Sequence, residues 1–154
     1  MLKNRLALLA IVLWVVTIAV FAWFFVRGNT EAGTDGRNTV VLAASERNLI
    51  LGEMRALLAA SQQVVQGIQQ GDMKRVAESA RAVGMASAVD VNPALMAKLP
   101  VAFKSLGMSV HRDMDDLAQA ADKGKSSAEL LGMLSNTMSK CVGCHSGWQL
   151  KAVQ

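Results

Sequence analysis

Cysteine and histidine are scarce in this chain, two of each in 154 residues, and both cysteines fall inside one pentapeptide. Once that pentapeptide is explained, no disulfide framework is left to find. A Ser-His-Asp arrangement, a phosphate-binding glycine loop and a carboxylate pair are also missing, so nothing points to hydrolytic or group-transfer chemistry. Charge of one sign is equally short. Across residues 44–154, twelve Lys and Arg stand against ten Asp and Glu, which leaves that region near +2. The overall pI of about 9.4 owes much to cations around the N-terminal apolar run, and no nucleic-acid partner is indicated. Strand signals are almost absent.

The chain does contain Cys141-Val142-Gly143-Cys144-His145. This reads as C-x-x-C-H, the attachment signature of covalent c-type haem. Two thiols three apart on one helical turn can form thioethers to the two vinyl groups on one haem edge, while the next residue presents an imidazole to the iron. Cys141 and Cys144 are therefore the expected anchors, and His145 the expected proximal ligand. A redox C-x-x-C would usually belong to a βαβ context, and a zinc site would need more ligands nearby. Neither accompanies the motif.

An uncharged run from Leu6 to Val26 contains Trp14, Phe21, Trp23, Phe24 and Phe25 and is long enough to span a bilayer. A secretory signal peptide is the competing interpretation, with Lys3 and Arg5 as a basic n-region and Val20 and Ala22 as small residues before a cleavage site. The run exceeds the usual signal core, however, and cleavage after Ala22 would expose Trp23-Phe24-Phe25-Val26 at a new N-terminus. Residues 1–27 are accordingly expected to be an uncleaved membrane anchor. Lys3 and Arg5 favour the cytoplasmic side, with Arg27 a weak counter-argument, which puts the remainder across the membrane. Residues 28–43, polar and Gly-rich at their start, are expected to be a flexible linker.

Residues 44–154 read as one all-α domain of four helices. The first is expected from about Ser45 to Gln70, with Ile50, Met54, Leu57, Leu58, Ser61, Val65 and Ile68 on its inner face. Gly71-Asp72 supplies a break and an N-cap for a second helix from Met73 to about Ala88. A connection over Val89–Leu99 follows, where Asn92 before Pro93 caps a short turn. The third helix is expected from Pro100 to Gly124, facing inward through Phe103, Leu106, Val110, Met114, Leu117 and Ala121. Its Asp113, Asp115, Asp116 and Asp122 read as a solvated face. Ser126-Ser127-Ala128-Glu129 offers a capping box for the fourth helix. Along that helix Leu131, Leu134, Met138, Cys141, His145 and Trp148 recur at spacings of three and four, which sets the C-x-x-C-H on the apolar seam, with Met138 and Trp148 expected to pack against the haem. Short connections make neighbours antiparallel. The expected architecture is an up-and-down four-helix bundle carrying one covalent haem, preceded by a single transmembrane helix.

Residues 45–150 resemble the cytochrome c′ family, the class II c-type cytochromes. The resemblance rests on four helices, a single Cys141-Val142-Gly143-Cys144-His145 at the end of the last, and the aromatic Trp148 three residues after the histidine. Family members commonly follow that aromatic with Arg, where this chain has Gln149. Together with the expected anchor, the resemblance implies a membrane-anchored monohaem member with one haem c; because bacterial c-type haem is attached outside the cytoplasmic membrane, the chain is expected in the inner membrane with its haem domain in the periplasm. It also implies a question at the sixth iron position. In low-spin relatives a first-helix methionine binds opposite the histidine, whereas in cytochromes c′ proper an apolar residue leaves the iron open. Met54 matches the expected depth and is the candidate distal ligand, although a buried methionine is otherwise ordinary core filler. His111, bordering the inner stripe of the third helix, is the rival distal ligand, and is otherwise a half-buried residue making ordinary hydrogen bonds.

The expected function is electron transfer between redox protein donors and acceptors, with no enzymatic step, and the tether confines the carrier near membrane-bound partners. The alternatives are a five-coordinate haem protein that binds nitric oxide or carbon monoxide for sequestration or sensing, and a haem subunit of a larger membrane complex. A homodimer is implied by the resemblance alone.

Overall fold

The uncharged run forms α1, Leu2–Arg27, whose apolar stretch is exposed along its length and touches the rest of the protein only near its end. This helix is long and apolar enough to cross a membrane. The computed structural model describes residues 2–88 and 92–153, with side chains from Asn4 onward. The expected connection at Val89, Asp90 and Val91 and the side chain of Lys3 lie outside the described residues. Beyond α1 come β1 (Thr30–Ala32), β2 (Asn38–Leu42), α2 (Ala44–Gln70), α3 (Met73–Arg81), α4 (Pro93–Lys98), α5 (Val101–Asp122), α6 (Ser127–Gly147) and β3 (Trp148–Ala152). The described residues are thus mostly helical, with six α-helices and three short strands.

The strands correct the expected linker at 28–43. β2 pairs antiparallel with β1 and parallel with β3, so the segment is a hairpin bonded to the chain's last strand. Val40 and Leu42 are 0% and 1% exposed. Together with Ile50, Leu95, Leu99 and Phe103 they form one apolar cluster, against which Trp148 and Leu150 pack. Burial of this kind, at about 25 cal/mol per Å² of apolar surface, explains why the segment is not left in water.

A second cluster is assembled from the far halves of four helices, with Val64 and Ile68 of α2, Val76 and Ala80 of α3, Met114 and Leu117 of α5, and Leu130 and Leu134 of α6. Several local signals are realised here. Gly71 ends α2 at φ 70°, and Asp72 Oδ1 accepts from the Arg75 N–H at 3.0 Å. Asn92 Oδ1 accepts from the Ala94 N–H at 2.8 Å and opens α4. At the start of α6, Ser126 Oγ accepts from the Glu129 N–H while Glu129 Oε2 accepts from the Ser126 N–H, the reciprocal capping box.

Three helix details differ from expectation. The second helix of the domain stops at Arg81 and gives way to a 3₁₀ turn at Met85–Ala88. Asp115 of α5 holds that turn: its carboxylate fills the place where a side chain on Gly84 would lie and accepts the Met85 N–H at 2.8 Å. On α2, Leu58 and Val65 point outward, and Ala60, Val64 and Gly67 point in. Small residues win those positions because α3 lies close: a Cβ on Gly67 would sit 2.8 Å from Val76 Cγ2. On α6 the inner stripe is Leu130, Leu134 and Thr137, so Leu131 and Met138 are exposed.

Candidate functional site

Between the two clusters, α2, α4, α5 and the end of α6 enclose a largely apolar cleft. Its mouth and the solvent standing in it included, it holds about 880 Å³ of space outside the atoms. Ile50, Met54 and Leu57 come from α2, Leu95 and Met96 from α4, and Phe103, Leu106, Val110 and His111 from α5. Cys141, Cys144 and His145 come from α6, with Lys140 at the rim. Residues far apart in sequence, the three of the motif and the two proposed to lie opposite them, therefore line one cleft.

The motif occupies the last two turns of α6, which the sheet holds in place. β3 begins immediately after Gly147, in parallel register with β2, and Trp148 packs edge-on to Phe103 with ring centroids 5.9 Å apart. Arg37, at the hairpin, donates to the His145 carbonyl oxygen at 3.3 Å and to Gln149 Oε1 at 3.2 Å. Gln149 in turn donates to Thr39 Oγ1 at 2.9 Å. Arg37 is itself fixed by a 2.6 Å ion pair with Asp35, which lowers the Asp35 carboxyl pKa through that hydrogen bond.

His111 is 7% exposed, and its Nδ1 lies 2.9 Å from the Val83 carbonyl oxygen. A carbonyl can only accept, so Nδ1 carries a proton, and in the neutral ring Nε2 keeps its lone pair. Met54 is half-buried and reaches both the cleft and a smaller adjoining cavity shared with Arg37, Arg47, Cys144, His145 and Trp148. Glu53, the neighbour of Met54, has its carboxyl pushed up by burial, partly offset by His111.

Burial also raises both thiols, and at Cys144 the neighbouring Cys141 adds to the rise. Such thiols lack the depressed pKa of a redox-active pair. No group of three or more His, Cys, Asp or Glu side chains gathers among the described residues in a way that could hold a metal ion, which leaves a zinc centre short of ligands. Cys141, Cys144 and His145 are the side chains able to hold a cofactor here, with Met54 or His111 available across the cleft.

Two expectations change. Met138 does not line the cleft; it lies in a separate groove with Val65, Leu131 and Val142, because the inner stripe of α6 runs through Leu130, Leu134 and Thr137. The acidic stretch is not simply solvated: Asp113 pairs with Lys140 at 2.6 Å, Asp115 accepts from Met85, and Asp122 pairs with Arg81. Sequence reasoning missed Arg37, Arg47 and Lys104. Only Lys140, next to the motif, carried a local signal. No family model, curated protein or solved structure matches this chain.

Proposed function

We propose that this protein is a membrane-tethered monohaem c-type cytochrome that transfers electrons between redox protein partners, with α1 as an anchor in a bacterial inner membrane and the helical domain in the periplasm. One observation carries the reading: Cys141, Cys144 and His145 line a single apolar cleft together with Met54 and His111. The apolar lining and the donor set fit a haem held by two thioethers and an imidazole. The packing of α2, α3, α5 and α6 is compatible with the four-helix bundle of cytochromes c′.

When bound, the haem supplies reversible one-electron exchange at iron. The chain's residues do the rest. Cys141 and Cys144 would hold the haem through thioethers and His145 would ligate its iron, and Arg37 donates to the His145 carbonyl oxygen. Leu57, Phe103, Leu106 and Val110 exclude water from the faces, which tunes the potential. Lys140 and Lys104 at the rim favour anionic groups there.

His111 gains weight as distal ligand from its hydrogen bond to Val83, the kind of outer-shell partner that orients an imidazole and leaves Nε2 to the iron. Met54 remains the alternative. Ferric and ferrous absorption spectra of the holoprotein, with and without carbon monoxide, test the assignment. Six-coordinate low-spin iron that resists the gas is expected, and rapid tight uptake of carbon monoxide would favour a five-coordinate gas-binding protein instead. His111→Ala and Met54→Ala then identify the ligand by which one moves the low-spin spectrum.

A further inference from the structure

The junction between α1 and the domain is bonded on every side. Gly28 caps α1 at φ 64°, and a Cβ there would sit about 2.5 Å from Lys98 O and Pro100 N, so the corner between α4 and α5 presses directly on the helix end. The Asn29 N–H donates to Lys98 O at 2.7 Å, and the Val41 N–H to Asn29 O at 2.9 Å. Within two residues of its last turn, then, the apolar helix is clamped by both the corner and the hairpin. Lys104 strengthens the link, its Nζ lying 3.9 Å from the centre of the Phe25 ring of α1 and donating to Met96 O at 3.2 Å. The same Lys104 lines the cleft.

Around this junction Arg27, Lys98, Lys104 and Lys151 outnumber Glu31 and Glu46, which pair with Lys151 and Lys98. Arg27 and Lys104 are left as the unbalanced cations. Lys104 reaches from α5 toward α1, so its ammonium sits over Phe25 in the last turns of the apolar span, beside Arg27 at the span's end.

We propose that this face docks on anionic phospholipid headgroups through Arg27 and Lys104, and that the clamp at Gly28 and Asn29 holds the cleft mouth at a fixed orientation against the bilayer. The proposal rests on the reading of α1 as a membrane anchor. A carrier presented in this way meets partners at the membrane surface and not in free solution.

Amine acetylation of the full-length holoprotein in vesicles, followed by mass spectrometry, tests it. Lys123, at the other end of α5 and about 28 Å along its axis, is the internal reference. Adding phosphatidylglycerol to phosphatidylcholine vesicles should slow Lys104 about fivefold relative to Lys123, and high salt should reverse the effect. An unchanged ratio in a chain that resists alkaline carbonate extraction overturns the docking alone. A chain washed off by carbonate overturns the anchor reading and the docking with it. A flexible Gly-Ser segment inserted between Arg27 and Gly28 should abolish the protection, and protection that survives the insertion overturns the clamp.

Discussion

The two halves of α5 carry the same kinds of side chain and meet different surroundings. From Met114 to Ala121 the inner face is closed against α2, α3 and α6, with Met114 and Leu117 fully buried. From Phe103 to His111 the same face forms one wall of the cleft. Apolar side chains that line a cleft are packed on one side and open on the other, so they bury less surface than the same residues in a closed core. The fold thus divides into a closed end and an end that opens into the cleft.

Removing the anchors tests that division most severely. Cys141→Ala with Cys144→Ala should abolish covalent haem, read by haem staining of a denaturing gel, while helical circular dichroism from the packed end persists. Leu117→Ala should cost about 2–5 kcal/mol in denaturant unfolding and leave the absorption spectrum in place. Leu106→Ala, in the cleft wall, should cost less and shift the spectrum. Equal costs, or a shift from Leu117→Ala, would erase the distinction between the ends.

A smaller effect concerns pH. The Glu129 carboxyl is lowered from 4.5 to about 2, first by Lys125 and then by Ser126. A depressed carboxylate stabilises the fold above its unfolded pKa, and that contribution is lost as pH falls from about 4.5 through about 2. Glu129→Gln should flatten stability against pH in that window without altering the spectrum, as measured by acid unfolding of both proteins. Least of all, Gly132→Ala should stabilise by about 0.5–1 kcal/mol in thermal unfolding, because Gly132 is exposed inside α6 with open space where a Cβ would lie.

The same division governs what could be read in advance. α5 was legible because Phe103, Val110, Met114, Leu117 and Ala121 recur at helical spacing, and the breaks at Gly71-Asp72 and Ser126 were legible because capping is local chemistry. On α6 two apolar candidates sit side by side at 130 and 131, and choosing between them needs the neighbouring helix, which is why the face of Met138 is not legible from spacing alone. The hairpin escaped because Thr39-Val40-Val41-Leu42 is short and its parallel partner lies over a hundred residues away, beyond any local signal. At the site, C-x-x-C-H was legible as a unit. Arg37, whose bond to His145 spans 108 residues, was not.

The intact mass of the chain, purified from a host that attaches c-type haem, tests the central claim most directly. The account predicts one haem added per chain, with Cys141 and Cys144 both resistant to alkylation. An unmodified mass with both thiols freely alkylated would contradict it.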